Sequence, residues 1–351
     1  MKAAIYKVNP LGWATCKWLK HFWKGCLGTK LNGFSIRKIP SPKLPGPEWV
    51  CIRTRLGGIC GSDAGMVMQK QPPDTLLQAY SSQPMGMGHE NVGEVLLVGD
   101  NVDESWVGKR VIVEPTLACK QRGLDPVCPR CAEGNFSSCQ HFSADEPGPY
   151  GLPPGLSIGY NSMTGGSWGE YFVAHVSQLF EVPDHVSDEE AVMVDPFACS
   201  AHGVFSTNLE NVERVLVYGG GGIIGLGVIA SLRASGFTGT IDAYDRGWSM
   251  KPHIRTMGAD ELLVDPGNKA EKYDMFAVRT GATVQRVRFG NRTLTGGYDV
   301  VFDCVGTGDS FTDCLKLCRG EGQVTVLGTL QVGRVGLTSL WFREITARGV
   351  Y

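Results

Sequence analysis

The chain has 351 residues with 33 Lys and Arg against 35 Asp and Glu, a formal net charge of −2. This length favours about two domains, and the near balance of charge argues against a dedicated nucleic-acid-binding protein and against an acidic disordered chain. Glycine and cysteine are numerous, at 47 and 12 residues, so tight turns and cysteine chemistry are the features to explain.

No targeting or membrane-spanning segment is evident. The N-terminus lacks the basic and apolar regions of a secretory signal. The longest apolar, glycine-rich stretch, 219–232, is shorter than the roughly 20 residues that a membrane span needs. We therefore expect a soluble, cytoplasmic protein without a membrane partner. In a reducing cytoplasm, clustered cysteines indicate metal binding or catalysis rather than disulfides.

The first half of the chain, residues 1–185, is predicted to be a β-rich, barrel-like domain. Short apolar runs alternate there with Gly- and Pro-containing turns, which is typical of all-β architectures. The predicted strands are 1–6, 49–56, 91–99, 109–115, 169–174 and 178–183.

A basic and aromatic segment, 13–24 (WATCKWLKHFWK), interrupts this pattern. Its apolar residues recur at helical spacing, which predicts an amphipathic helix. The favoured interpretation is a surface insertion that packs its aromatic side chains on the β domain. Contact with a membrane surface or a partner is the alternative.

The second half, residues 186–351, is predicted to be a parallel sheet with helices on both faces. Ser187 and Glu190 have the spacing of a capping box and begin a helical stretch that runs through Phe205. Strands and helices then alternate, which is typical of a doubly wound α/β domain. The predicted strands are 214–219, 240–245, 261–265, 298–306 and 323–329, and the predicted helices are 221–236, 250–259 and 309–322.

A dinucleotide site is predicted where the first of these strands meets its helix. The G-x-G-x-x-G spacing between strand and helix provides a tight turn, close approach to a pyrophosphate and close helix packing. A carboxylate that ends the next strand favours NAD through the ribose hydroxyls, whereas the arginine after it could instead pair with the 2′-phosphate of NADP. The candidate cofactor-binding residues are Gly220, Gly222, Ile223, Ile224, Gly225, Asp245 and Arg246.

Four cysteines between residues 115 and 142 are predicted to bind a structural zinc. Cys119, Cys128, Cys131 and Cys139 lie close in sequence, and four thiolates suit tetrahedral Zn²⁺ with no open position. Buried free thiols and a redox C-x-x-C pair are the alternatives. A zinc module that binds nucleic acid is disfavoured by acidic neighbours and by the net charge.

A second, mixed set of ligand types comes from three separate segments. Cys60, His89 with Glu90, and Asp195 offer a thiolate, an imidazole and carboxylates, and three such ligands leave a catalytic zinc one open position. Spacing alone is weak evidence here, because a lone cysteine or histidine more often packs in a core.

The chain resembles the zinc-dependent medium-chain alcohol dehydrogenases, and more closely their threonine/sorbitol-dehydrogenase-like branch. The resemblance implies a GroES-like β-barrel catalytic domain and a Rossmann domain, with zinc and a nicotinamide cofactor. The motifs that carry it are GICGSD (58–63), GHENVGEV (88–95), GKRVIVEP (108–115), the four-cysteine lobe, DPFACSAH (195–202), GGGGIIGLG (219–227) and GGYDVVFDCVG (296–306).

The resemblance also implies roles for single residues. Cys60 and His89 are expected to bind the catalytic zinc, and Glu90 to be an alternating or neighbouring ligand. Asp195 stands where this branch commonly has glutamate. Ser62 matches the hydroxyl that begins proton removal, and position 65, where some members have a relay histidine, is glycine.

The expected function is reversible hydride transfer between a nicotinamide cofactor and a small alcohol, polyol or amino alcohol, or the corresponding carbonyl compound. Two zinc ions per chain are expected, with a homodimer or homotetramer in the full-length form. The alternative is a non-catalytic NAD(P)-binding relative that keeps only the structural zinc. Compared with the family pattern, the first two lobe cysteines are nine positions apart rather than three, and the second domain is expected to be incomplete at its C-terminal end.

Overall fold

The computed structural model describes residues 1–71, 75–143, 147–288, 292–329 and 333–351. The chain divides into two compact units, Met1–Asp195 and Pro196–Tyr351, which we describe separately.

The first unit is built mainly of antiparallel strands. They are β1 (Lys2–Tyr6), β2 (Phe34–Lys38), β3 (Trp49–Gly57), β4 (Met85–Gly86), β5 (Asn91–Val98), β6 (Arg110–Val113), β7 (Tyr171–His175) and β8 (Leu179–Glu181). Its helices are short, namely α1 (Pro10–Leu19), α2 (Gly61–Val67), α3 (Pro129–Ala132) and α4 (Asp188–Ala191).

Two antiparallel sheets organise this unit. One has five strands in the order β7-β3-β5-β6-β8, and the other has three in the order β2-β1-β4. Trp49, Val50 and Ile52 of β3 are fully buried against Val95 and Phe172 of the neighbouring strands. This core confirms the predicted β-rich first domain and the six strands predicted within it.

The predicted helix in segment 13–24 exists, but it is α1 and ends at Leu19. The expectation that its aromatic side chains pack on the β domain is wrong for Trp18, Phe22 and Trp23, which are 66, 77 and 54% exposed. The packed face of α1 carries Gly12 instead, since a Cβ there would lie 2.2 Å from the carbonyl oxygen of Leu31.

The stretch predicted as one helix from 188 to 205 is broken. The Ser187–Glu190 capping box forms and begins α4, but α5 (Val194–Phe205) is a separate helix. Pro196 explains the break, because proline has no N–H and its ring clashes with the carbonyl four residues earlier in a continuous helix.

The second unit is an α/β domain. Its strands are β9 (Arg214–Tyr218), β10 (Thr240–Asp245), β11 (Glu261–Val264), β12 (Thr283–Gln285), β13 (Thr293–Thr295), β14 (Tyr298–Asp303), β15 (Cys318–Val326) and β16 (Thr346–Gly349). The helices after α5 are α6 (Ile223–Ala234), α7 (Lys251–Thr256), α8 (Lys269–Thr280), α9 (Gly308–Leu317) and α10 (Thr338–Phe342).

Six parallel strands form its sheet in the order β11-β10-β9-β14-β15-β16. Counted from β9, this is the 3-2-1-4-5-6 order of dinucleotide-binding domains. Val215, Leu216 and Val217 of the central strand are fully buried. The order confirms the predicted Rossmann class.

One helix boundary differs from the sequence prediction, and one helix was not predicted. The helix predicted for 309–322 ends at Leu317, because Cys318 is extended and pairs with Tyr298 as the first residue of β15. Helix α8 was not predicted, although Asn268 caps its first turn and Gly281, with a φ of 73°, ends it.

Candidate zinc centres and dinucleotide site

Three predicted ligands of the first unit come together. One ligand atom each from Cys60, His89 and Glu90 lies within 4.8 Å of the others. Cys60 directly precedes α2, and His89 and Glu90 directly precede β5, so two rigid elements hold the three side chains. A thiolate, an imidazole and a carboxylate form a donor set that suits zinc and leaves room for a further ligand.

Two glycines make this arrangement sterically possible. A Cβ on Gly58 would lie 2.1 Å from Oε2 of Glu90, and a Cβ on Gly88 would lie 2.4 Å from the Trp168 ring. Gly88 also has a φ of +89°, a conformation that favours glycine. Gly58 of the GICGSD motif therefore leaves the space that Glu90 occupies, and Gly88 of the GHENVGEV motif leaves the space beside the Trp168 ring.

Asp63 lies behind His89 and was not predicted as a site residue. Its Oδ2 is 3.4 Å from Nδ1 of His89, and its side chain is 1% exposed. Histidines that bind metals usually direct their second ring nitrogen at such a carboxylate, which fixes the tautomer and the orientation of the ring. Asp63 is adjacent to Ser62 in the GSD motif, but no sequence spacing identifies its partner.

The electrostatics of the cluster favour a cation. Burial alone lowers the pKa of His89, but the Cys60 side chain and the carboxylates of Asp63 and Asp195 outweigh it and raise that pKa to about 9. Burial raises the pKa of the Asp63, Glu90 and Asp195 carboxyl groups. A metal ion would stabilise the ionised form of these buried carboxyl groups.

Ser62, the predicted proton acceptor, lies in the first turn of α2 and is half-buried. Its hydroxyl interacts with Tyr160, whose pKa is raised by burial and by the Asp63 carboxylate and lowered by the Ser62 hydroxyl. The Tyr160 ring centroid is 5.8 Å from that of His89. Tyr160 was not predicted as a site residue, because it comes from a loop distant in sequence.

Asp195 lies near this cluster but outside its ligand set. It is half-buried in the first turn of α5, and its charge contributes to the raised pKa of His89. Among the described residues, the atoms that lie within 4.8 Å of one another come from Cys60, His89 and Glu90 only. Direct zinc binding by Asp195 therefore stays a prediction.

The four lobe cysteines also come together. Their sulfurs lie within 4.8 Å of one another, and all four residues are buried. The Cys119 and Cys139 sulfurs are 3.6 Å apart, close to the about 3.8 Å that tetrahedral zinc with Zn–S bonds of about 2.3 Å requires. Each of these two sulfurs also accepts a backbone N–H, from Cys128 at 3.3 Å and from His141 at 3.4 Å. The donor set and its spacing fit zinc.

A buried arginine explains the long spacing between the first two cysteines. The Arg122 guanidinium is fully buried and donates to the carbonyl oxygens of Leu117, Leu152 and Gly155 at 3.1, 3.1 and 2.8 Å. The additional residues between Cys119 and Cys128 therefore include the buried Arg122, whose hydrogen bonds to backbone carbonyl groups order this segment.

The predicted dinucleotide loop lies in the second unit between β9 and α6. A Cβ on Gly220 would meet the Cβ of Ala243 at 2.7 Å, and a Cβ on Gly225 would meet the carbonyl oxygen of Gly219 at 2.3 Å. Packing therefore requires both glycines. A Cβ on Gly222, the residue before α6, would meet only the Gly219 oxygen at 3.5 Å. The second glycine is thus not explained by packing and leaves the approach to the helix N-terminus open, as pyrophosphate binding needs.

The predicted ribose carboxylate lies beside this loop. Asp245 ends β10, and its Oδ2 accepts the Gly221 N–H at 2.8 Å. The adjacent Arg246 is exposed, and its N–H donates to the other Asp245 oxygen at 2.7 Å. The last two predicted residues, Ile223 and Ile224, form the first turn of α6, where Ile223 is 38% exposed.

Two known family models match the chain, one within each of its two units. Residues 46–184 match the model of the alcohol dehydrogenase GroES-like domain, and residues 224–351 match the zinc-binding dehydrogenase model. Together the two models cover about three quarters of the chain. This chain belongs to the zinc-dependent alcohol dehydrogenase family. The membership confirms the resemblance that the motifs carried.

Individual dehydrogenases are similar to this chain over most of its length. An L-idonate 5-dehydrogenase of Vitis vinifera is 28% identical over 92% of this chain and 78% of its own length. An L-threonine 3-dehydrogenase of Rhizobium johnstonii is 27% identical over 91% of this chain and 80% of its own length. The crystal structure of 2R,3R-butanediol dehydrogenase from Bacillus subtilis superposes with a TM-score of 0.68 at 24% identity, over 100% of this chain and 84% of that one.

The family membership confirms the predicted oxidoreductase function. Nothing in the described structure or in these similarities favours the non-catalytic alternative. No helix in the described parts of the chain is long and apolar enough to cross a membrane.

Proposed function

We propose that the chain is an NAD-dependent zinc alcohol dehydrogenase that oxidises the carbinol group of a small polyol or amino alcohol and catalyses the reverse reduction. The observation that carries the proposal is the Cys60–His89–Glu90 cluster, with the buried Asp63 carboxylate behind the imidazole. Such an arrangement is costly to build without a cation, because it buries acids together.

Cys60, His89 and Glu90 would hold the catalytic zinc, and Asp195 is proposed as a further carboxylate ligand. The zinc supplies a Lewis acid that polarises the substrate oxygen. The four lobe cysteines would hold a second zinc, which orders residues that have little core of their own.

Ser62 and Tyr160 supply the proton path in this proposal. Ser62 would accept the hydroxyl proton of the substrate while its own hydroxyl proton passes to solvent, and the interaction with Tyr160 would orient the Ser62 oxygen. Position 65 is glycine, and a Cβ there would meet only the Gln71 side chain, at 3.6 Å or more. Residue 65 therefore provides no relay group in this proposal.

The second unit would hold the nicotinamide cofactor, which would supply the hydride-transfer chemistry. The Gly220–Gly225 turn would bind the pyrophosphate at the N-terminus of α6. Asp245 lies where a carboxylate binds the ribose hydroxyls and repels a 2′-phosphate, so we assign NAD as the preferred cofactor. The exposed Arg246 is the feature that would favour NADP.

Two further parts of the proposal concern assembly and location. We propose a homodimer or homotetramer, as predicted from the sequence. We also propose a cytoplasmic location, because cysteines clustered for metal binding rather than paired as disulfides are usual in a reducing compartment.

The proposal is tested by initial rates of NADH or NADPH formation with zinc-loaded protein on secondary alcohols, polyols and 2-amino alcohols. We expect turnover with NAD, and a loss of more than about 100-fold in kcat for Cys60→Ser. The matched control is Cys51→Ala, which removes a buried thiol of the same unit that belongs to neither cluster. Unchanged turnover in Cys60→Ser would rule out the zinc mechanism.

A further inference from the structure

Charge is distributed very unevenly along the chain. Residues 1–47 contain eight lysines and one arginine and no aspartate or glutamate, whereas residues 48–351 contain 24 basic and 35 acidic residues. The net charge of −2 therefore conceals a strongly basic N-terminal segment attached to an acidic remainder. Segregation of this kind is typical of a segment that meets an anionic partner.

Helix α1, within this basic segment, exposes its apolar face. At about 100° per residue, Leu11, Trp18 and Phe22 follow one side of the helix and its C-terminal turn, and they are 82, 66 and 77% exposed. The opposite side, with Gly12 and Cys16, is buried. This reverses the usual arrangement, in which the apolar stripe of a surface helix faces the core.

Together with neighbouring lysines these side chains form one surface. We call it the α1 surface, and it consists of Leu11, Lys17, Trp18, Phe22, Trp23 and Lys24. The Trp18 and Phe22 ring centroids are 5.3 Å apart, so these two side chains form an exposed aromatic pair. Contiguous exposed apolar groups usually mark an interaction site.

Buried hydrogen bonds hold the α1 surface in place. The Gln69 amide donates to the Trp13 carbonyl oxygen and to Oδ1 of Asn32, both at 2.8 Å. The Asn32 amide donates to the carbonyl oxygens of Leu27 and Val67 at 2.8 and 2.6 Å. The exposure of the aromatic side chains is therefore a property of the folded unit and not of a frayed end.

We propose that the α1 surface binds peripherally to an anionic lipid bilayer. Aromatic and leucine side chains would enter the headgroup region while the flanking lysines pair with lipid phosphates and carboxylates. The exposed aliphatic Leu11 fits this partner better than a nucleic acid, which stacks its bases on aromatic rings. Residues 10–33 also contain no arginine, although arginine is common in nucleic-acid contacts.

Co-sedimentation with extruded vesicles tests the proposal on the full chain. Vesicles of phosphatidylcholine alone are compared with vesicles that contain about one third phosphatidylglycerol. We expect at least about tenfold stronger partitioning onto the anionic vesicles, weakened by added salt. Equal binding to both compositions, or to neither, would overturn the proposal.

Paired variants distinguish vesicle binding through the α1 surface from non-specific adsorption of exposed apolar side chains. Trp18→Ser/Phe22→Ser and Lys17→Glu/Lys24→Glu should each weaken vesicle binding by at least about tenfold. The matched control, Trp341→Ser/Phe342→Ser, removes another exposed Trp–Phe pair, 78 and 76% exposed with centroids 6.3 Å apart, and should bind as the wild type does.

Two other readouts distinguish competing partners. If light scattering shows that Trp18→Ser/Phe22→Ser lowers the oligomeric state while no variant binds vesicles, the surface is a self-interface and the proposal is wrong. If the wild type retards a single-stranded oligonucleotide and ignores vesicles, the partner is a nucleic acid and the proposal is equally wrong. None of these variants alters a proposed zinc or cofactor residue, so dehydrogenase activity in detergent-free buffer verifies that each is folded.

Discussion

Substitution of Gly58 by alanine tests the geometry of the catalytic centre with a single methyl group. Gly58 is two residues before Cys60, and a Cβ on it would lie 2.1 Å from Oε2 and 2.7 Å from Cβ of Glu90. Because the Cβ of Glu90 is itself too close, rotation of the carboxylate alone cannot relieve the clash. The φ of Gly58 is not in the left-handed region, so the backbone tolerates alanine.

The expected free-energy cost of Gly58→Ala follows from the contact of the added methyl group with Glu90. Overpacking of a tightly filled site costs roughly 1–3 kcal/mol. If that cost is relieved by displacement of Glu90, the catalytic centre loses a ligand and its zinc affinity falls roughly 5- to 150-fold. The four-cysteine lobe lies outside this contact and keeps its zinc.

The assay is zinc per chain after dialysis against a weak chelator, together with the rate of alcohol oxidation. We expect about one zinc for Gly58→Ala and two for the wild type, with activity lost in proportion to the metal. Gly61→Ala is the matched control, because a Cβ there meets nothing within 4 Å and the residue is the first of α2. Two tightly bound zinc ions and normal activity in Gly58→Ala would refute the proposed role of Glu90.

Three further predictions concern the cofactor, the lobe and acid stability. Asp245→Ser should raise kcat/KM for NADP relative to NAD by at least about tenfold, because the carboxylate that repels a 2′-phosphate is removed; steady-state kinetics with both cofactors measures this. Cys131→Ser should release the structural zinc and lower the Tm by several degrees, measured by scanning calorimetry beside the metal content; an unchanged Tm with one zinc lost would contradict a stabilising role. Burial raises the pKa of Asp299, but Arg319 and the N–H groups of residues 213 and 214 outweigh it and hold that pKa below 3.8. The stability that Asp299 contributes should therefore be complete above about pH 4 and be lost as the pH falls through the lowered value. In urea titrations Asp299→Asn should be less stable than the wild type at pH 7, and this difference should shrink as the pH is lowered below about 4.

The residues of the two proposed zinc sites could be selected from the sequence because their chemistry is unusual. Four thiols within one short segment have few structural uses in a reducing environment, and the structure brings them together. The Cys60 and His89 prediction depended on family motifs, since neither residue shows a local pattern that distinguishes a ligand from a core residue. The glycines beside them carried part of the signal, because Gly58 and Gly88 leave space that only the folded site requires.

The supporting residues could not be predicted because their roles arise from long-range packing. Asp63 faces a histidine 26 positions away, and Tyr160 reaches Ser62 from almost one hundred positions away. The orientation of α1 has the same origin. Its periodicity predicted a helix, but the close approach of Gly12 to the Leu31 carbonyl decides which face is buried, and helical spacing does not contain that contact.

Helix starts and ends could be predicted where one residue determines the local backbone structure. The Ser187 capping box forms as predicted, since its two hydrogen bonds are local. The break before α5 also follows from one residue, Pro196, once its effect on the carbonyl four residues earlier is considered. Helix α8 has a clear start at Asn268 and a clear end at Gly281, so closer attention to caps identifies it.

Zinc K-edge X-ray absorption on the zinc-loaded chain tests the central claim most directly, because it reports both the number and the kind of ligands. One Cys₄ centre and one centre with a single thiolate predict two zinc ions per chain with an average of about 2.5 sulfur ligands per zinc. Cys60→Ser should leave one zinc with four sulfur ligands. A wild-type chain that binds a single zinc with four sulfurs would show that Cys60, His89 and Glu90 do not form a metal centre.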